Sequence, residues 1–321
     1  MNINVDIYIF IIMFIIEEIL NSFCFILFII QNIFLYYNDC QLLTKNIVQY
    51  KINDKTKDMI VYKNSPNKSK KYVYFLCGGF VPTTTTYINK ITYDLITLYP
   101  NLIDEYNLIV LEKEDQCYLS LYDDLSKFIE QTTPSDIEEI IFIGISGGGV
   151  VASHVLQRLK HIDCYKKLLM YDSAYSVIDN VLHYNSYIFY RVDYIMYFLV
   201  KDAFFNHYNY YDIKHKIIDE YPYFNGCNEY INMVKSILQY NDDMLYKESC
   251  FNFDQTEKTK VINVSSKNDH IIFPHLNKIF VEKNKHKFNC SISNIIKDTY
   301  GHCSDMAFST DYIKYILYVL E

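Results

Sequence analysis

Glycine and proline are scarce in this sequence, eight and six among 321 residues. With aromatics at 17% and half of all residues apolar, this composition excludes a disordered chain and provides for a sizeable core in one large domain or two small ones. Basic residues are in deficit too, 30 against 38 acidic, for a net charge of −8. No basic run is interleaved with aromatics, so no nucleic-acid partner is expected. The nine cysteines (24, 40, 77, 117, 164, 227, 250, 290 and 303) form no C-x-x-C pair and are odd in number. That argues against a zinc cluster or a disulfide framework. They read as reduced, small apolar side chains, in keeping with a domain that faces the cytosol.

Long apolar runs are absent from the body of the chain but not from its start. Ile7 to Tyr37 is interrupted only by Glu17, Glu18, Asn21, Ser22, Gln31 and Asn32. It lacks the basic flank and small-residue cleavage site of a signal peptide. Ile19 to Tyr37 approaches the length of about 20 residues that a bilayer span needs. Lys45, Lys51, Lys55 and Lys57 follow the segment while only Asp6 precedes it, which puts the rest of the chain in the cytosol. Residues 1–40 are therefore read as an apolar segment and candidate membrane anchor. The alternative is a pair of buried or interfacial helices in a soluble cytoplasmic protein.

From Lys71 onward, continuous apolar runs alternate with helical periodicity. "KYVYFLCGGF", "YNLIVLEKED", "IEEIIFIGIS" and "KKLLMYD" read as strands. "INKITYDLITLYP", "LSLYDDLSKFIEQ" and "GGVVASHVLQRLK" read as the helices between them. This is the pattern of a mostly parallel sheet covered by helices on both faces, an α/β fold. Upstream, Met59 to Tyr62 is expected to form a hairpin with Ile47 to Ile52, with "NDKTKD" as its turn. The alternation breaks at Ser173 and resumes near Lys258, an insertion of roughly 85 residues that is helical in pattern and crowded with Tyr and Phe. After it, "KVINVSSKNDHIIFPHLNKIF" reads as strand, loop and helix, "KHKFNCSIS" as a last strand, "YGHCSD" as a loop and "DMAFSTDYIKYILYVL" as a final helix. The organisation is residues 41–172 and 259–321 as two parts of one core, with 173–258 between them as a helical cap.

Four of the eight glycines fall at Gly144, Gly147, Gly148 and Gly149, around Ser146. Gly144, Ser146 and Gly148 spell G-x-S-x-G at a strand-to-helix junction. A serine at the tip of so tight a turn is strained, and the residues two before and two after it approach closely, so side chains there would clash. The bend lifts the hydroxyl clear of the sheet and starts a helix whose amides face developing negative charge. A phosphate-binding Walker loop would need Lys-Ser/Thr where Val150 and Val151 stand. A dinucleotide fingerprint would need glycine in place of Ser146.

On these residues, Lys71 to Glu321 resembles the α/β-hydrolase family. The resemblance implies a serine nucleophile, an acid and a histidine in that order along the chain. Asp269, in the loop of "SSKNDHIIFP", matches the family's acid after the penultimate strand. Asp172, at the end of "LLMYD", is the alternative, because some lipases of the family carry the acid there. His302 in "YGHCSD" lies between the last strand and the last helix, where the family's histidine lies. The oxyanion hole is implied at the amide of Gly147 and at that of Gly79 or Phe80, both in "FLCGGFVP", where Cys77 replaces the family's usual histidine and one glycine is missing from the longer form. The expected activity is hydrolysis of a carboxylic ester, of a lipid or other hydrophobic acyl compound, with no metal or organic cofactor. A thioester or amide would use the same residues. The rival expectation is a membrane-tethered scaffold that keeps the fold without turnover, motivated by Cys77 and the shortened glycine loop.

Overall fold

The computed structural model describes residues 43–52, 54–64, 69–78, 84–112, 118–176, 179–180, 250–269, 272–303, 305–306 and 309–321. The apolar segment expected over 1–40 and most of the insertion expected over 173–258 lie outside the described residues, as does Gly79.

Strands β1 (Thr44–Ile52) and β2 (Lys55–Lys63) form an antiparallel hairpin turned at Asp54, whose φ of 61° is one that Asp tolerates. Both strands are longer than the sequence suggested. Lys55, Thr56 and Lys57 were expected in the turn; they instead belong to β2, pairing with Ile52, Lys51 and Tyr50. Period-2 alternation explains this, because only Tyr50, Met59 and Val61 of the hairpin are fully buried, and residues such as Gln49, Lys51 and Asp58 lie exposed on the opposite face.

The hairpin joins β3 (Lys71–Gly78), β4 (Asn107–Glu112), β5 (Glu139–Ser146), β6 (Tyr165–Tyr171), β7 (Thr259–Asn268) and β8 (Ser291–Tyr300) in an eight-stranded sheet of order β1-β2-β4-β3-β5-β6-β7-β8. From β4 to β8 every pairing is parallel. Between the strands run α1 (Thr84–Leu98), α2 (Leu102–Glu105), α3 (Tyr118–Thr132), α4 (Gly148–Arg158), α5 (Pro274–Asn284) and, last, α6 (Ile313–Leu320). Helix α1 stops just before Pro100, and α5 starts on Pro274, both as proline chemistry requires.

β5 shows why the apolar runs are continuous. Ile140 and Phe142 pack on one face with Val151, Val155 and Leu156 of α4 and with Leu125, Phe128 and Ile129 of α3. Ile141, Ile143 and Ile145 pack on the other with Ile91 and Leu95 of α1 and Ile313, Ile316 and Val319 of α6. A strand buried on both sides has no polar face to display.

This arrangement positions a site. β3 and β5 are neighbours with Gly78 beside Ser146 in register, yet β3 is followed by α1 on one face and β5 by α4 on the other. Where connections part to opposite faces, a crevice opens at the carboxyl ends of the strands.

Two further boundaries differ from expectation. The last strand begins at Ser291, not in "KHKFNC": Lys285–Lys287 form a 3₁₀ turn, and the strand runs on to Tyr300. The last regular helix begins at Ile313, because Ser309 accepts the Asp311 amide at 3.1 Å and interrupts it. The two ends of the insertion are tied together, with Ser176 bridging to Cys250 and the Phe251 amide donating to the Tyr175 carbonyl at 2.7 Å. No helix among the described residues is long and apolar enough to cross a membrane.

Candidate active site

Ser146 ends β5 with φ at 53°, in the left-handed region that costs a non-glycine residue about 1–2 kcal/mol, and Gly147 beyond it is already helical at −57°, −20°. A Cβ on Gly144 would stand 2.6 Å from the Gly148 carbonyl oxygen and from the Cα and N of Gly149. The bend therefore closes only with glycine at 144. Gly149, which the motif does not include, is constrained differently: a Cβ there would overlap Ser173 Oγ and stand 2.9 Å from Ser173 Cβ. It lets α4 settle against the end of β6. Gly147 is the N-cap of α4, so its amide belongs to the first turn, where backbone donors have no partner within the helix.

His302 arrives from the loop after β8. Its Nδ1 lies 2.8 Å from Asp269 Oδ2 and its Nε2 lies 3.0 Å from Ser146 Oγ. With Nδ1–H donating to the carboxylate, Nε2 carries the lone pair that accepts the serine proton. Asp269 is held in turn, since its Oδ1 accepts the Ile272 amide at 2.8 Å and its side chain is fully buried. The loop is shaped by Gly301 at φ 77° and Cys303 at φ 53°, which flank the histidine with two left-handed residues. A register shift between Ser266 and Asn268, where β7 meets β8, carries Asp269 and His302 out of the sheet together.

Asp172, the alternative acid, has other partners. Its carboxylate accepts the Ser266 amide at 2.8 Å, the Ser266 hydroxyl at 3.0 Å, the Lys297 ammonium at 2.9 Å and the Cys303 amide at 2.9 Å. The nitrogen that an acid would orient is taken by Asp269. Asp172, His302 and Cys303 bring three donor atoms within 4.8 Å of one another, the one such convergence among the described residues. The positive charge beside that carboxylate is already supplied by Lys297.

Burial alone would pull the His302 imidazole down, but the charge of Asp269 and hydrogen bonds to Asp269 and Cys303 overcome this and hold it well above the ordinary 6.5. Burial pushes the Cys303 thiol up to about 12, so it is uncharged at neutral pH and the Asp269 carboxylate is the charge that acts there.

Residues that a sequence motif could not point to complete the surroundings. Asn277 of α5 accepts the Tyr175 amide at 2.9 Å and donates to the Ser173 carbonyl at 2.9 Å, pinning the start of the insertion to the acid loop's helix. Lys297, on β8, is buried with Asp172, Asp305 and Tyr171. Its one signal in the sequence was a lysine two positions after Ile295, on the same side of the strand.

Similar folds are found among solved structures. An esterase from Pyrococcus furiosus is 16% identical in one crystal form, with a TM-score of 0.52, and 88% of this chain aligns to 91% of it. An acylaminoacyl peptidase from Pyrococcus horikoshii is 12% identical, with a TM-score of 0.52, over 89% of this chain. This chain has the α/β-hydrolase fold. It spans 42% of the peptidase, whose remainder has no counterpart in the alignment. No family model matches the sequence, and no curated protein matches it at the sequence level. Within the hydrolase fold, Ser146 ends β5, and Asp269 and His302 occupy the loops after β7 and β8. Of the residues expected to hold an oxyanion, Gly147 is in place beside the serine, and Gly79 lies outside the described residues.

Proposed function

We propose that the chain is a serine hydrolase that cleaves carboxylic esters. The observation that carries this reading is the relay from Ser146 Oγ through His302 to Asp269, at 3.0 Å and 2.8 Å. Ser146 Oγ attacks the ester carbonyl carbon while its proton passes to His302 Nε2. The oxyanion that forms is stabilised by the Gly147 amide, aided by the N-terminal end of α4, with Gly79 as second donor. Collapse breaks the bond to the alcohol, which leaves with the proton from His302. Water then attacks the acyl-serine, His302 takes its proton, and the acid is released with Ser146 restored. Asp269 stays ionised throughout, keeping Nδ1 protonated and supporting the imidazolium.

A hydrophobic acyl group, such as that of a lipid, is the proposed substrate class. Its support is the aromatic content of the insertion, in stretches such as "HYNSYIFYRVDYIMYFLV". The esterase of the same fold accords with an ester. Attachment to a membrane through residues 7–37, with the folded core on the cytosolic side, belongs to the same proposal; removing residues 1–40 should then move the protein from the membrane pellet to the soluble fraction.

The deciding experiment is labelling with a fluorophosphonate. Folded wild type is labelled and Ser146→Ala is not. Absence of labelling in folded wild type would instead favour the second reading, a catalytically silent scaffold, for which the Cys77 substitution and short glycine loop speak.

A further inference from the structure

β8 is the edge of the sheet, paired among the described residues with β7 alone, and it runs straight into the loop that carries His302. The imidazole must nevertheless reach a serine at the end of β5, three strands inward. A cluster of buried charges links that loop to the sheet interior. Lys297 of β8 donates to Asp172 Oδ2 at 2.9 Å, to Asp305 Oδ1 at 2.7 Å and to the Tyr171 hydroxyl at 2.6 Å. Tyr171 in turn donates to Asp305. The side chains of Lys297, Asp172 and Asp305 are 2%, 0% and 5% exposed, so three charges are withdrawn from water together.

Each anion of the cluster grips the histidine loop. Asp172, after β6, accepts the Cys303 amide, one residue past His302 and itself in the left-handed region. Asp305 belongs to the loop outright and is fastened to Lys297 and Tyr171. Between them, Thr299 of β8 donates to Ser266 of β7, whose hydroxyl donates to Asp172, so hydrogen bonds cross three consecutive strands. Buried ion clusters are poor sources of stability, because desolvation costs several kcal/mol per charge. What they do supply is geometric definition, since each partner is satisfied in one arrangement only.

We propose that Lys297, through Asp172 and Asp305, positions His302 against Ser146. The three are positioning residues; none touches the serine hydroxyl. This rests on the reading of Ser146 and His302 as nucleophile and base. It extends that reading to the field around the imidazole. Among the described residues, the charged and titratable groups that surround His302 are Asp269 from the loop after β7, Asp172 from the end of β6, Cys303 from its own loop, and behind them Lys297, Asp305 and Tyr171. Asp172 lies within 4.8 Å of His302, and the Lys297 ammonium counters it. Lysine in such company stays charged: burial opposes this, but the two carboxylates outweigh it and hold Lys297 above its usual range.

The test uses the full chain in wild-type, Asp305→Asn and Lys297→Met forms. It measures thermal unfolding, the rate of Ser146 labelling by a fluorophosphonate, kcat and KM on p-nitrophenyl acetate, and the titration of His302 by NMR. With the loop released, kcat and the labelling rate are expected to fall about 100-fold while KM changes little, as for misplacement of a reacting group by about 1 Å. The His302 midpoint shifts down in Asp305→Asn, which removes an anion, and up in Lys297→Met, which removes a cation. A structural role alone would lower the unfolding temperature and leave the midpoint and the kcat of folded protein unchanged; that result overturns the proposal. If Lys297→Met does not fold, Asp305→Asn, which keeps its hydrogen-bonding shape, decides. Folded wild type that is neither labelled nor active overturns the hydrolase reading instead, while shifted or unshifted NMR midpoints still support or overturn the role of the cluster.

Discussion

The His302 imidazole stands 3.0 Å from the Ser146 hydroxyl although 156 positions of sequence separate them. One residue is held at the end of a central strand by a strained bend, the other in a loop beyond the sheet edge. Both are fixed from behind: Ser146 by the close approach of Gly144 to Gly148 and Gly149, and His302 by Asp269. Disturbing either support should therefore register at the serine.

Asp269→Asn should leave the fold intact and lower kcat on p-nitrophenyl acetate by roughly 10⁴-fold, the scale set by loss of the orienting acid in serine hydrolases. An amide can donate to Nδ1, which favours the tautomer with its proton on Nε2, the wrong nitrogen. The same change in Asp172 is expected to act differently, by loosening the Cys303 amide, so its activity loss should come with a fall in unfolding temperature.

The pH profile has a definite sign. Only neutral His302 accepts the serine proton. Burial lowers its pKa, but the charge of Asp269 and hydrogen bonds to Asp269 and Cys303 outweigh burial and raise it above 6.5. The acid limb of kcat/KM should therefore have its midpoint above 6.5, with activity still increasing through neutral pH. A midpoint at or below 6.5 in wild type would contradict the electrostatic account of the site.

Gly149→Ala should destabilise the chain by about 1–3 kcal/mol, because its Cβ would overlap Ser173 Oγ in a fully buried place. Among the described residues, Ser173 Oγ has no hydrogen-bond partner although it is buried. Ser173→Ala alone should thus be neutral or stabilising, and Gly149→Ala combined with it should recover part of the loss. Chemical denaturation of the three variants measures this directly.

Gly301→Ala should cost about 1–2 kcal/mol, since residue 301 sits at φ 77°. It should also reduce labelling of Ser146 more than the stability loss explains, because His302 is the next residue. If labelling persists at the wild-type rate in folded protein, the loop does not depend on that backbone conformation.

Much of the fold is legible along the chain because its signals are local. Continuous apolar strands such as "EIIFIGIS" need cover on both faces, and the glycine cluster stands at a strand-to-helix junction. Lys55 and Lys57 escape such a reading because a strand with one solvated face resembles a polar turn in composition. "KHKFNC" misleads because polar and apolar residues that alternate ahead of a strand do not mark where pairing begins. At the site, Ser146, Asp269 and His302 are readable by loop position. The preference for Asp269 over Asp172 follows from its loop's likeness to the family pattern, but contact with Nδ1 is visible only in the fold, since both residues follow a strand of the same sheet and both precede the histidine. Gly149 carries no motif of its own, and its need for glycine arises from Ser173, just past the end of β6.

The strands, the helices between them and the bend at Ser146 are written in the order of residues, because period, apolarity and glycine act between near neighbours. Which carboxylate meets His302, and which is locked to Lys297, is settled in three dimensions alone. Those pairings depend on strand order and register, which bring together side chains whose separation along the chain carries no trace of their contact.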